Sequence, residues 1–156
     1  MQQKRLFKQV LLISVAILCQ FSFYERGHAS RLIGGESLAV ECYIVSQAAS
    51  RNGASNRTDL GVCTRAIDEA HLSTENLIPS YVNRGIIYMA MGNYKKALSD
   101  LDHALKLDDM TGEAYVNRGN LWFSQNKLEK AIEDYNQAIK LGVIKLDVAY
   151  LNRGIT

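Results

Sequence analysis

The feature that most narrows the fold of this chain is an internal repeat with a 34-residue period. Tyr81-Val82-Asn83-Arg84-Gly85 recurs 34 residues on as Tyr115-Val116-Asn117-Arg118-Gly119, and 35 residues later as Tyr150-Leu151-Asn152-Arg153-Gly154. Aligned without gaps, 78–111 and 112–145 are identical at 11 of 34 positions. Self-similarity at such a period means stacked copies of one supersecondary unit, none of which can bury its apolar face alone.

Each copy reads as a pair of helices. Tyr94, Ala97, Leu98, Leu101, Ala104 and Leu105 fall at relative positions 0, 3, 4, 7, 10 and 11, and Leu128, Ala131, Ile132, Tyr135, Ala138 and Ile139 repeat that spacing. This is one apolar stripe of a 3.6-residue helix. Tyr81, Gly85 and Tyr88, then Tyr115, Gly119 and Trp122, mark the first helix of each pair. Gly92-Asn93 and Asn126-Lys127 supply the turns between helices, and Asp108-Asp109 and Gly142-Val143 close the second helices.

These residues resemble the tetratricopeptide repeat family. Its signature asks for an aromatic, then small residues, then large ones at fixed places. Tyr81/Tyr115, Gly85/Gly119, Tyr88/Trp122, Ala97/Ala131, Leu101/Tyr135 and Ala104/Ala138 fill them in order. Small residues let paired helices approach while large ones fill the space beside them. A glycine within a helix costs about 1 kcal/mol relative to alanine, so its recurrence points to a contact without room for a methyl group. The chain departs from the pattern where Arg84 and Arg118 replace a leucine and where Asp109 and Val143 replace a proline. The resemblance implies an all-α helix–turn–helix solenoid of about three repeats plus a truncated fourth. Its expected divisions are 78–111, 112–145 and a start at 146–156.

Upstream, Cys63-Thr64-Arg65-Ala66-Ile67 matches the end of a second helix. The resemblance then implies a degenerate first pair over 37–77, with Ser37 to Ala49 as its first helix and Ser50 to Thr58 as a lengthened loop. Cys42 falls near the place of Gly85, where it would face Cys63. In an oxidising compartment these two are expected to bridge; the alternative is two buried free thiols.

The family also implies a binding mode. The first helices of such repeats line a concave groove, where Asn83, Asn117 and Asn152 would present amides able to donate and accept toward an extended peptide. The alternative for each is a bond to a neighbouring helix. Ile86, Met89, Asn120 and Phe123 complete the candidate groove. Together with Val82, Ala90, Val116 and Ser124, these positions carry no positive charge, which disfavours a clamp on peptide carboxylates. The implied partner is a protein or an uncharged peptide. Asp100 and Asp134 recur opposite Arg84, Arg118 and Arg153, a pattern that reads as an inter-helix ion pair more readily than as a ligand site.

Residues 1–29 read as a targeting segment, followed by a linker at 30–36. Lys4, Arg5 and Lys8 precede an apolar run from Val10 to Phe23, and Gly27 and Ala29 supply small residues for cleavage after Ala29. The run is shorter than the roughly 20 residues that span a bilayer, so cleavage and export, most simply to a periplasm, are expected. The alternative is an uncleaved anchor, the one case in which a membrane partner is implied. Cys19 follows Leu18, which is larger than the residue a lipoprotein site prefers.

Charge then argues against nucleic acid. The whole chain is formally +2, but residues 30–156 hold 14 basic and 15 acidic side chains, so the basic excess lies in the first segment. No set of residues suggests catalysis or a cofactor. His71 and His103 are 32 residues apart, and Gly34-Gly35 is too short for a phosphate loop. Asn56-Arg57-Thr58 fits a glycosylation sequon, which acts only in a eukaryotic secretory pathway. The chain therefore reads as a non-enzymatic scaffold, with a structural part of a larger exported or anchored assembly or enzyme as its alternative. Thr156 falls within a first helix, so a fragment of a longer protein is expected.

Overall fold

A computed structural model describes residues 36–143, and all regular structure among them is helical. The expected leader at 1–29, most of the linker, and the fourth repeat with Asn152 and Arg153 lie outside the described residues. Residues 36–52 form α1, followed by α2 (Arg57–Glu69), α3 (Thr74–Ala90), α4 (Tyr94–Leu107), α5 (Gly112–Ser124) and α6 (Leu128–Lys140). The order is three antiparallel pairs, with α3 lying beside α5 as well as against α4.

The close approach inside each repeat follows from a glycine facing a large side chain. A Cβ on Gly85 would stand 3.1 Å from Leu101 Cγ, and one on Gly119 would stand 2.5 Å from Tyr135 Cε1. Leu101 and Tyr135 are fully buried, as are Ala97, Ala104, Ala131 and Ala138 beside them. The turns after α3 and α5 need a left-handed residue at matched places. Gly92 supplies it at φ 72° and Asn126 at φ 58°, asparagine being among the few side-chain-bearing residues that adopt it readily. Asn93 then caps α4 by accepting from the Lys96 amide.

The pair α1–α2 uses different chemistry at the same place. Cys42 and Cys63 are joined by a disulfide with Cα atoms 4.7 Å apart. Cys42 thus meets Cys63 where Gly85 meets Leu101. The separation is 21 residues here, against 16 for both Gly85–Leu101 and Gly119–Tyr135. The sequence suggested that the additional residues lie in a loop from Ser50 to Thr58. They instead lengthen α1, which runs to residue 52, and the connection is only 53–56. Ser50, Arg51 and Asn52 are polar because they sit on solvent-facing turns of a helix. The stop comes from Gly53, at φ 63°, with its N–H donating to the Ala49 carbonyl at 2.9 Å.

Asn56 starts α2 with a capping box. Its side chain accepts from Thr58 N and Asp59 N, while the Asp59 carboxylate accepts from the Asn56 amide. The sequon pattern is therefore also a helix start. α3 is longer than α5 by one N-terminal turn. That turn places Pro79 inside the helix, where it leaves the Glu75 carbonyl without its helical donor.

Two apolar clusters join the pairs. Cys42, Ala49, Val62, Cys63 and Ala66 close over Ile87 of α3, and Leu101, Ala104 and Leu105 close over Ala114 and Leu121 of α5. α3 and α5 thus each carry two burial duties, one toward their own partner and one toward the preceding pair.

Candidate partner-binding face

The five-residue motif that defines the repeat distributes its side chains to different tasks. Arg84 Nε and Nη2 donate to the two carboxylate oxygens of Asp100 at 2.8 and 2.9 Å. Arg118 donates in the same way to Asp134 at 2.9 and 2.7 Å, and adds Asp102 of the preceding pair at 2.7 Å. The forks are bidentate, the geometry in which guanidinium and carboxylate bind most strongly. Arg84 and Arg118 also lie over the rings of Tyr81 and Tyr115, at 5.5 and 5.4 Å from their centroids. These arginines are therefore structural, tying the two helices of each repeat and, through Asp102, one repeat to the next.

Electrostatics agree with that role. Burial works against the Arg84 charge, but the hydrogen bonds and charge of Asp100 outweigh it and hold the guanidinium above its ordinary range. Hydrogen bonding to Asp134 raises Arg118 in the same direction, helped by Asp102 and opposed by partial burial. A cation held above its unfolded value contributes stability at every pH below that value and loses it only above. Both guanidiniums therefore stay charged through the whole range in which the protein would be handled.

The asparagines separate. Asn83 is only 7% exposed, with Oδ1 2.8 Å from Ser46 Oγ of α1. Ser46 Oγ is also 2.8 Å from the Tyr43 carbonyl. One hydroxyl proton cannot serve two acceptors, so the arrangement is satisfied with the amide turned to donate to Ser46. For Asn83 the bond to a neighbouring helix, the alternative given above, is thus present. Asn117 is half-buried and donates Nδ2 to the Glu113 carbonyl of its own helix at 2.8 Å. Asn120 accepts from the Tyr135 hydroxyl at 2.9 Å. Ile86 and Met89 are half-buried against the central cluster, while Phe123 is 40% exposed. The first-helix face of α3 and α5 is thus apolar and amide-lined, with Phe123 its most accessible large side chain.

A cleft of about 400 Å³ opens between α1 and α3, with Glu36, Val40 and Tyr43 on one wall and Asn76, Pro79 and Asn83 on the other. Its lining carries one carboxylate and no cation, which suits an uncharged or basic segment and repels an acidic one. The sequence reading missed the α1 wall, although Val40, Tyr43 and Ile44 fall at helical spacing and signal an apolar stripe. A second concavity, about 500 Å³, is lined by Tyr115, Arg118, Glu133, Asp134, Asn136 and Gln137, where Arg118 and Asp134 already satisfy each other.

His103 stacks on Tyr81 with centroids 4.3 Å apart, and His71 sits just beyond α2 at φ 47°. Among the described residues no three His, Cys, Asp or Glu side chains are placed to hold a metal ion. No helix among them is long and apolar enough to cross a membrane.

Residues 78–109 and 112–141 each match the tetratricopeptide repeat family. Residues 78–141 are two tetratricopeptide repeats. The matched segments correspond to α3–α4 and α5–α6, and repeats of this kind are scaffolds for contact between proteins. Comparison with curated proteins gives no match. In these tetratricopeptide repeats the recurrent arginine is committed internally.

Proposed function

We propose that this protein is exported and that its mature form binds an uncharged or apolar segment of another protein along the first-helix face of its repeats, acting as a scaffold rather than an enzyme. Residues 36–69 serve as a degenerate first repeat of the same solenoid. The observation that carries the binding proposal is the run of partly accessible apolar side chains Ile86, Met89 and Phe123 on the face of α3 and α5. The basic-then-apolar order of residues 4–23 and the small residues at Gly27 and Ala29 support export.

Two measurements test these proposals separately. A photo-crosslinking residue at position 123 is expected to give discrete protein adducts in cells, while the same probe at exposed Lys106 on α4 is not. Equal labelling from both positions, or none from position 123, would count against the face. N-terminal sequencing of the protein from its native host is expected to begin at Ser30. A chain that still starts at Met1 would remove the export proposal and leave the binding proposal standing.

A further inference from the structure

The register that relates the three helix pairs exposes an anomaly on α1. With Cys42 at the place of Gly85 and Gly119, residues 37, 40 and 44 of α1 match 80, 83 and 87 of α3 and 114, 117 and 121 of α5. On α3, this set faces the preceding pair. Ile87 is fully buried within the α1–α2 cluster, Asn83 meets Ser46, and Ser80 is 1% exposed. On α5, Ala114 and Leu121 are fully buried against the α3–α4 cluster. On α1 the same positions face solvent, with Val40 at 58% and Ile44 at 60% exposure beside Tyr43 at 54%. Solenoid ends are normally closed by a polar outer face. Here the docking positions are apolar, and no described residue covers them.

We propose that α1 is a homodimer interface in which two copies pack antiparallel, Val40 of each against Ile44 of the other, with Arg51 of each beside Glu36 of the other. Charge selects both the occupant and the direction. Ser37, Val40, Ile44, Gln47 and Arg51 form one stripe at alternating spacings of 3 and 4 residues, the spacing of a helix-pairing seam. Glu36 flanks its N-terminal end, and Arg51 closes its C-terminal end. A parallel pair would set Glu36 and Arg51 each against its own copy, which is repulsive at both ends. An antiparallel pair centred on Val40–Ile44 brings each Arg51 to within roughly 4.5 Å along the axis of the opposite Glu36, a gap that an arginine side chain spans. A two-fold arrangement repeats that ion pair symmetrically.

The interface is small. The described part of α1 is about 25 Å long, and one helix face buries less than the interfaces of permanent dimers. The expected dimer is therefore weak and concentration-dependent. Val40 also lines the α1–α3 cleft, so dimerisation would narrow that cleft while leaving the Phe123 region of the proposed partner face open.

Analytical ultracentrifugation of the full chain over a concentration series tests the proposal. The wild type is expected to pass from monomer to dimer and stop there. Ile44→Glu is expected to weaken the dimer at least about tenfold, because it buries a carboxylate against Val40. Its helical circular dichroism should be unchanged, because Ile44 faces solvent in the monomer. Glu36→Arg and Arg51→Glu are each expected to weaken it roughly threefold to tenfold, and the double variant E36R/R51E to recover wild-type association. That recovery is specific to antiparallel pairing of identical helices. The proposal is overturned by a monomer at every concentration, which would mean that another segment or a different protein covers the face. Association untouched by Ile44→Glu overturns it too, as does head-to-tail growth beyond the dimer or failure of the double swap to recover.

Discussion

The pair α1–α2 and the pair α3–α4 solve one packing problem with different chemistry. Both bring two antiparallel helices close together at one point. In α3–α4 that point is Gly85 against Leu101, flanked by the Arg84–Asp100 fork. In α1–α2 it is the Cys42–Cys63 bond, and the places of Arg84 and Asp100 fall to exposed Glu41 and buried Val62. A covalent link thus stands where the matched repeats use shape and an ion pair. The α5–α6 pair repeats the second solution with Gly119, Tyr135, Arg118 and Asp134, so the first pair is the variant. The close approach is what the architecture requires, and the means of holding it is free to vary.

The comparison is broken most strongly by removing the bond. Cys42→Ser/Cys63→Ser is expected to cost about 3 kcal/mol, mainly by freeing the unfolded chain, and two fully buried cysteine positions would then hold hydroxyls. The loss should be local, since α3–α6 keep their own contacts. Hydrogen exchange should show amides of α1 and α2 losing protection while those of α4 and α6 keep theirs. Uniform loss over all six helices would mean that the pairs are not separable units.

The second contrast concerns the ion pairs. Asp100→Ala leaves Arg84, with a side chain only 15% exposed, without a hydrogen-bonded carboxylate, Asp68 acting on it by charge alone. Breaking one partner of a well-buried pair costs about 3–5 kcal/mol; the residual exposure of Arg84 lowers the expectation to about 2–3 kcal/mol. Asp134→Ala should cost less, because Arg118 is 23% exposed and keeps Asp102. Chemical denaturation of the two variants should therefore rank Asp100→Ala as the more damaging. The reverse order would show that the Asp102 link adds nothing.

The same contrast explains what could be read from the sequence. α4 and α6 were legible almost to the residue, because their apolar stripes begin at Tyr94 and Leu128 and each faces a core on one side only. The end of α1 was not, because exposed helical turns and loops share a polar composition. Only Gly53 and the Asn56–Asp59 capping box mark the boundary. The hydrogen-bond partners of the groove asparagines were not legible. Asn83 and Asn117 occupy the same place in the same motif, yet their surroundings come from the preceding pair. Asn83 finds the hydroxyl of Ser46, whereas the residue matching Ser46 in the next pair is Met89, a thioether that accepts only weakly. Asn117 turns to the Glu113 carbonyl instead. A repeat fixes where a side chain starts, and the neighbouring copy decides what it bonds.

The finest test of the comparison lies between the two glycines. Any Gly→Ala change inside a helix gains about 1 kcal/mol of intrinsic propensity, so packing decides the sign. At Gly85 the new methyl would stand 3.1 and 3.4 Å from the Cγ and Cδ2 atoms of Leu101, an aliphatic side chain that can give by a few tenths of an ångström. Gly85→Ala is therefore expected to change stability by less than about 1 kcal/mol in either direction. At Gly119 the methyl would stand 2.5 and 2.7 Å from two atoms of the Tyr135 ring. That ring is fully buried and anchored through its hydroxyl to Asn120, so the helices must part or the ring must move. Overpacking of this kind costs about 1–3 kcal/mol, and after the propensity gain Gly119→Ala should remain destabilising by about 1 kcal/mol. Thermal unfolding of the two single variants reads the difference directly. Equal effects would show that the ring at Tyr135 yields as easily as the leucine.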